Sequence, residues 1–152
     1  MGLVEQIMNG RREELTCASF FTGIGGMDQG FKEAGFRTLW ANEVEKHQAS
    51  IYRENFPDVP MIEKSIHLLS TDDLMDKYGM PDVIHGGFPC VTYSKAAAIH
   101  NKRWSDKKPK VDYKKYAADG GDLFLHMRRM IGDMQPKAFL IENVTDLAGC
   151  KI

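Results

Sequence analysis

The feature that most constrains the fold is the alternation of short apolar runs with segments of helical periodicity. Residues 16–21 read as a strand, residues 22–26 as a glycine-rich turn, and residues 27–34 as a helix that ends at Gly35. Strands that alternate with helices in this way are typical of an open, mostly parallel sheet with helices on both faces. The sequence therefore predicts an α/β fold.

The same alternation continues along the chain, and we expect a single domain over residues 1–152, which is long enough to bury a core. Methionines recur at helical spacing in the last predicted helix, which indicates a core-facing stripe. The further predicted strands are 36–42, 61–66, 82–85 and 137–141, and the further predicted helices are 45–55, 71–77 and 121–134.

Unusual residues lie beyond the ends of four of the predicted strands. The glycine turn follows the first strand, Glu43 the second, Cys90 the fourth, and Glu142 with Asn143 the fifth. In open parallel sheets ligands bind beyond the carboxyl ends of the strands, so these residues are expected to converge on one site. The run GGFPC at 86–90 constrains the backbone before Cys90, which suits a reactive thiol; an inert buried cysteine is the alternative.

The first turn and Glu43 together indicate a cofactor that contains a nucleoside. Gly23, Gly25 and Gly26 let the backbone approach a ligand closely, and a carboxylate about 20 residues later suits a ribose diol. A dinucleotide fingerprint fits poorly because Asp28 stands at the third glycine position, and the lysine that a P-loop needs is missing. A tight turn and a solvated carboxylate at a helix start are the alternatives.

The composition excludes several classes of protein. No apolar run approaches the roughly 18 residues of a membrane span, and the N-terminal residues lack the apolar core of a secretory signal. Cys17, Cys90 and Cys150 have neither the spacing of a zinc site nor the even number of a disulfide framework. We therefore expect a cytoplasmic protein without a metal ion or a membrane contact.

A basic segment is predicted to form a loop over about residues 95–119. Residues 101–116 contain seven Lys or Arg side chains and two Asp side chains, interleaved with one Trp and two Tyr. Basic side chains beside aromatic ones suit phosphate contact and stacking on nucleic acid bases, whereas a solvated surface loop is the alternative.

Four elements, taken in order, resemble the DNA (cytosine-5)-methyltransferases. They are FFTGIGG at 20–26 with GF at 30–31 and AG at 34–35, NE at 42–43, GFPC at 87–90 with Ser94, and FLIENV at 139–144. The resemblance covers about residues 16–147 and implies a Rossmann-like fold that uses S-adenosylmethionine as its cofactor. By this resemblance Glu43 holds the ribose hydroxyls and Leu123 lies against the adenine. The implied cofactor-binding residues are Phe21, Gly23, Gly25, Gly26, Glu43, Val44, Ser65, Ile66, Pro89 and Leu123.

The resemblance also implies a reaction on a cytosine flipped out of the DNA duplex. Cys90 as thiolate attacks C6 of the base, Glu142 shares a proton with N3, and Asn143 braces the loop that bears Cys90. The basic segment is then a loop that closes over the flipped base. The implied contacts to nucleic acid are Ser94, Lys102, Arg103, Lys107 and Lys108.

The chain departs from the family pattern at three places. Val91 follows Cys90 where the family usually has glutamine, and Ser65 stands where it commonly has an aspartate that contacts the adenine amino group. The later arginine-containing motif, the target-recognition domain and the last cofactor-site helix are not in the 152 residues. We therefore expect a sheet truncated after the fifth strand, and a second subunit or self-association that supplies or covers the remainder.

The predicted function is transfer of a methyl group from S-adenosylmethionine to C5 of cytosine in DNA, by a catalytic fragment or subunit that acts either alone or with a complementing chain. Two alternatives stay open from the sequence. One is a non-catalytic remnant that binds nucleic acid or a partner, and the other is a tRNA cytosine-5 methyltransferase.

Overall fold

The structure is a computed structural model that describes residues 14–89 and 113–143, with the side chains of the second range described from residue 123. Its sheet has five parallel strands in the order β3-β2-β1-β4-β5. The strands are β1 (Thr16–Phe20), β2 (Arg37–Asn42), β3 (Met61–Ile62), β4 (Val83–Gly86) and β5 (Ala138–Ile141). The helices are α1 (Gly26–Glu33), α2 (Lys46–Asn55), a 3-10 turn (Ile66–Leu68), α3 (Thr71–Tyr78) and α4 (Tyr113–Met134).

One face of the sheet packs on an apolar core. Ala18 and Phe20 of β1 point to this face and are fully buried. They pack in one cluster with Met127, Met130 and Met134, which lie at helical spacing on α4 and are also fully buried. The predicted methionine stripe is therefore confirmed as part of the core.

The opposite face is covered by α1 and α2. Ala41 on β2 packs with Tyr52 and Phe56 in a second buried cluster. Because successive strand residues alternate between faces, Ala41 lies opposite its neighbour Trp40, which belongs to the first cluster. Helices on both faces of a parallel sheet confirm the predicted Rossmann-like α/β class.

A polar network lies between α1 and the sheet on this second face. The carboxylate of Asp28 is fully buried and accepts hydrogen bonds from Ser19 Oγ at 3.0 Å, Thr22 Oγ1 at 2.5 Å and Tyr52 Oη at 2.8 Å. His85 Nε2 lies 3.9 Å from Asp28 Oδ1. Burial lowers the pKa of His85 and outweighs the attraction of Asp28, so the imidazole is neutral near neutral pH.

Two predicted boundaries are wrong. The helix expected from Gly121 already begins at Tyr113, so residues 113–119 belong to α4 and not to the predicted loop. Lys and Ala are good helix formers, and the two glycines at 120–121 cost only about 1 kcal/mol each in a helix interior. The third strand is two residues long, and beyond it Asn42 Nδ2 donates to the carbonyl oxygens of Ile62 and Lys64. In the part of the chain that the structure describes, no helix is long and apolar enough to cross a membrane.

Candidate cofactor and catalytic site

The turn between β1 and α1 is built from left-handed backbone conformations. Phe21, Gly23 and Gly25 have φ values of 52°, 57° and 94°. At Gly25 an added Cβ would overlap the ring of Phe56 and would lie 3.0 Å from Tyr52 Cε2. A glycine is therefore required at position 25 because the backbone packs closely against α2. The sequence had indicated a different reason, the close approach of a ligand.

Glu43 lies just beyond β2, and its carboxylate is held on both oxygens. Oε2 accepts a hydrogen bond from the backbone N–H of Gly23, and Oε1 accepts one from the N–H of Glu45, both at 2.9 Å. The residue is only 7% exposed. These bonds fix the carboxylate at the carboxyl ends of β1 and β2.

A pocket of about 510 Å³ opens at this edge of the sheet. Seven of the predicted cofactor residues line it: Phe21, Glu43, Val44, Ser65, Ile66, Pro89 and Leu123. Gly23, Gly25 and Gly26 shape the adjoining turn and do not line the pocket. Six further lining residues were not predicted: Asn42, Glu45, Gln48, Lys64, His67 and Gly87. Most of them neighbour a predicted residue in the sequence. Gln48 lies in the first turn of α2, and its place at the start of the predicted helix that follows Glu43 was the available signal.

Side chains of α4 hold the 3-10 turn that forms one wall of the pocket. Arg129 Nη2 donates to the carbonyl oxygen of Leu69 at 3.2 Å and to that of Ile66 at 3.5 Å. The rings of His67 and His126 pack edge to face with their centroids 4.2 Å apart. The wall is thus attached to the helix that also contributes Leu123.

The ends of β4 and β5 bring Glu142 and Asn143 against the segment that precedes Cys90. The N–H of Glu142 donates to the carbonyl oxygen of Gly86 at 3.0 Å. A Cβ added at Gly87 would lie 2.9 Å from Glu142 Oε2, so the absence of a side chain there admits the carboxylate. Asn143 Nδ2 donates to the carbonyl oxygen of Phe88 at 2.9 Å. The remaining predicted catalytic and nucleic-acid-binding residues lie outside the described part of the chain: Cys90, Ser94, Lys102, Arg103, Lys107 and Lys108.

The pocket, the carboxylate at the end of β2 and the contacts of Glu142 and Asn143 with Gly87 and Phe88 agree with a comparison against protein families. The family described as C-5 cytosine-specific DNA methylase matches residues 15–151. The chain belongs to this family. The resemblance found in the sequence is thereby confirmed.

Curated relatives of the chain are bacterial Type II methyltransferases. It is 36% identical over 136 residues to M.Bsp6I of a Bacillus species, a match that covers 89% of this chain and 38% of the relative. It is 34% identical over 135 residues to M1.HphI of Haemophilus parahaemolyticus, covering 88% of this chain and 33% of the relative. The chain thus spans about a third of the length of these relatives.

Solved structures agree on the fold. A DNA modification methyltransferase encoded within an Escherichia coli prophage superposes with a TM-score of 0.67 at 25% identity, covering 88% of this chain and 33% of that one. The Dnmt2 methyltransferase of Schizosaccharomyces pombe superposes with a TM-score of 0.64 at 17% identity, covering 90% and 36%. The second likeness shows the fold alone.

Proposed function

We propose that this chain binds S-adenosylmethionine in the pocket at the carboxyl edge of its sheet and contributes the cysteine loop for methylation of C5 of cytosine in DNA. The observation that carries the proposal is the carboxylate of Glu43, fixed by two backbone N–H groups at the mouth of a pocket in a chain of the C-5 cytosine methylase family. The remainder of the enzyme, including the part that reads a DNA sequence, is supplied by further polypeptide.

The residues of the pocket fit this cofactor. A carboxylate has about four acceptor positions, and the N–H groups of Gly23 and Glu45 occupy one on each oxygen of Glu43, which leaves acceptors for two ribose hydroxyls. Ile66 and Leu123 supply an apolar wall for a base. The volume of about 510 Å³ lies within the range usual for cofactor sites.

In the proposed mechanism the chain's own residues prepare the cytosine. The Cys90 thiolate attacks C6 of the ring, and the electron pair displaced towards C5 makes that carbon nucleophilic. Glu142, which lies against Gly87, offsets the developing charge by sharing a proton with N3. Asn143 holds the loop through the carbonyl oxygen of Phe88. The cofactor, when bound, supplies an electrophilic methyl group; removal of the C5 proton then expels Cys90 and restores the aromatic base.

Calorimetry with S-adenosylmethionine tests the cofactor site. Glu43→Gln keeps the size of the side chain but replaces one oxygen with an amide group that cannot accept the N–H or the hydroxyl bonded there. Hydrogen bonds to a charged group contribute about 1.5–3 kcal/mol, so we expect binding at least about tenfold weaker. Glu33→Gln on α1, whose carboxylate is exposed and accepts a hydrogen bond from Gln29, is the matched control. Equal affinity of the Glu43→Gln variant and the unmodified chain would contradict the assignment.

Covalent capture tests the catalytic part. A duplex that contains 5-fluorocytosine cannot lose a proton from C5, so a cysteine that has attacked C6 stays attached to the DNA. In the presence of S-adenosylmethionine and the complementing polypeptide we expect a denaturation-resistant adduct with the unmodified chain and with Cys150→Ser, but none with Cys90→Ser. An adduct that survives in Cys90→Ser would assign the attack to another residue.

The fifth strand supports the proposal of a further polypeptide. Within the described residues β5 pairs only with β4, and Phe139 and Leu140, on opposite faces of the strand, are 59% and 49% exposed. Unpaired edges and apolar faces favour association, so we propose that a second subunit or a second copy covers β5. We expect light scattering to give a mass above that of one chain at micromolar concentration, or on addition of the complementing polypeptide. A strictly monomeric species under both conditions contradicts this.

A further inference from the structure

The backbone of Gly87 lines the cofactor pocket and also touches the carboxylate of Glu142. The three atoms nearest to a Cβ added at Gly87 all belong to Glu142: Oε2 at 2.9 Å, the carbonyl oxygen at 3.3 Å and Cβ at 3.7 Å. The space that a side chain would occupy at position 87 is therefore taken by the glutamate.

Hydrogen bonds on both sides of Gly87 limit how far its backbone can move. The carbonyl oxygen of Gly86 accepts from the N–H of Glu142 at 3.0 Å, and the carbonyl oxygen of Phe88 accepts from Asn143 Nδ2 at 2.9 Å. Phe88 is also only 2% exposed and packs in the apolar core. A substitution at Gly87 must therefore be accommodated by the side chain of Glu142, which is exposed and can rotate.

The displacement that a side chain at position 87 would cause is large on the scale of catalysis. Ordinary van der Waals contact with a Cβ begins at 3.4 Å, whereas Glu142 Oε2 lies 2.9 Å from the Cβ position of Gly87. Catalytic groups must be held within about 0.5 Å of their productive position, and an alanine would move this carboxylate by at least about that distance. The position of the carboxylate therefore depends on the glycine.

We infer that Gly87 is a positioning residue for the methylation reaction, because the absence of a side chain there sets where the Glu142 carboxylate meets the cytosine. This inference rests on the proposed function, in which Glu142 shares a proton with N3 of the base. The φ of Gly87 is not in the left-handed region, so the backbone itself can accept an alanine. Glycine at position 87 is thus required by the reaction and not by the fold.

The rate of covalent capture of 5-fluorocytosine DNA tests the inference, under the conditions given above for Cys90. Glu142 assists the attack of Cys90 on C6, so the rate of adduct formation depends on its position. A displacement of about 1 Å can slow an enzyme about 100-fold, and we expect Gly87→Ala to form the adduct about 10- to 100-fold more slowly than the unmodified chain. The dissociation constant for S-adenosylmethionine should stay the same. The urea midpoint should hold or rise, because alanine lowers the conformational entropy of the unfolded chain.

Three companion variants separate this effect from other causes. Gly132→Ala is the matched control, because Gly132 is exposed on α4 and an added Cβ has nothing within 4 Å; its capture rate should equal that of the unmodified chain. Gly86→Ala should instead lower the urea midpoint, because its Cβ would lie 2.4 Å from the backbone carbonyl oxygen of Phe20, which cannot rotate away. In a chain that already carries Glu142→Ala, Gly87→Ala should slow capture by no more than about twofold, because no carboxylate is left to displace.

Capture by Gly87→Ala at the unmodified rate would overturn the inference and leave the proposed function intact. An equal slowing with and without the Glu142 carboxylate would also overturn it, since Gly87 would then act by another route. A urea midpoint that falls as far as that of Gly86→Ala would assign the glycine to the fold, with the same consequence. Failure of the unmodified chain to form any adduct would instead overturn the proposed function and the inference with it.

Discussion

Replacement of Gly25 by alanine tests whether packing, and not a ligand, requires this glycine. The new Cβ would overlap the ring of Phe56, which is 6% exposed, and would lie 3.0 Å from the fully buried Tyr52. Overpacking of a filled core costs about 1–3 kcal/mol. The backbone φ of 94° adds a cost of about 1–2 kcal/mol for a residue with a side chain. Alanine also lowers the conformational entropy of the unfolded chain, which offsets about 0.4–1 kcal/mol of this loss. We expect a net loss of about 2–4 kcal/mol in the free energy of unfolding.

Substitutions at two other glycines distinguish the cost of the positive φ from the cost of the steric overlap. Gly35 has a φ of 86° but nothing within 4 Å of an added Cβ, so Gly35→Ala should carry the backbone term alone, about 1 kcal/mol. Gly26, the first residue of α1, has neither a positive φ nor a neighbour within 4 Å. Gly26→Ala should therefore be neutral or stabilising by up to about 1 kcal/mol.

Urea unfolding of the three variants measures these differences. With an m value of about 2 kcal/mol/M, the midpoint of Gly25→Ala should fall by about 1–2 M, while that of Gly26→Ala should hold or rise. A second variant, Phe56→Leu, removes the atoms that the new Cβ would overlap, so it should couple favourably with Gly25→Ala in a double-mutant cycle. If Gly25→Ala costs no more than Gly35→Ala, the overlap with Phe56 is relieved and the reasoning fails.

Three further predictions follow from buried or paired groups. Because burial lowers the pKa of His85, the unfolded chain binds a proton at this side chain before the folded chain does as the pH falls below about 6.5. The free energy of unfolding should therefore fall by up to about 1.4 kcal/mol per pH unit. In His85→Leu this dependence on pH should be weaker. Burial raises the pKa of Cys17 to about 11, so mass spectrometry should find Cys17 unalkylated by iodoacetamide at pH 8 until urea unfolds the chain. The hydrogen bond from Lys137 lowers the pKa of Asp82 to about 2, so Asp82→Asn should be less stable than the unmodified chain at pH 7, with the difference vanishing between about pH 4 and pH 2.

The sequence predicted what depends on local pattern. Alternating apolar runs and helical stripes located all five strands, and the rule that ligands lie beyond the carboxyl ends of parallel strands predicted a site at Glu43. Ser65, which lines the same pocket, was assigned to the cofactor by the family resemblance alone. Glu142 and Asn143 were placed beside the cysteine loop by the same rule, and the structure gives each of them a contact with residues 86–88.

What the sequence did not predict depends on contacts between distant residues. The role of Gly25 is set by Phe56, which lies 31 positions later, and the end of β3 is bonded by the side chain of Asn42, 20 positions earlier. His67 lines the pocket on a 3-10 turn that is held by a hydrogen bond from Arg129 of α4 to the carbonyl oxygen of Leu69, 60 positions apart in the chain. No pattern within a window of a dozen residues carries such information.

Asp28 stands where the dinucleotide-binding fingerprint has its third glycine, yet the strand, turn and helix around it have the same arrangement. In a dinucleotide-binding turn the third glycine allows the helix to pack closely on the sheet. Here α1 carries a carboxylate at that position, and hydrogen bonds from Ser19 on β1, Thr22 in the turn and Tyr52 on α2 converge on it. Hydrogen bonds to a charged group are each stabilising by about 1.5–3 kcal/mol, and together these three offset the burial of the charge. The network ties the glycine turn to both β1 and α2, so it positions the N–H of Gly23 that holds Glu43. The residue that counted against a dinucleotide site is thus a structural support of the site that is present.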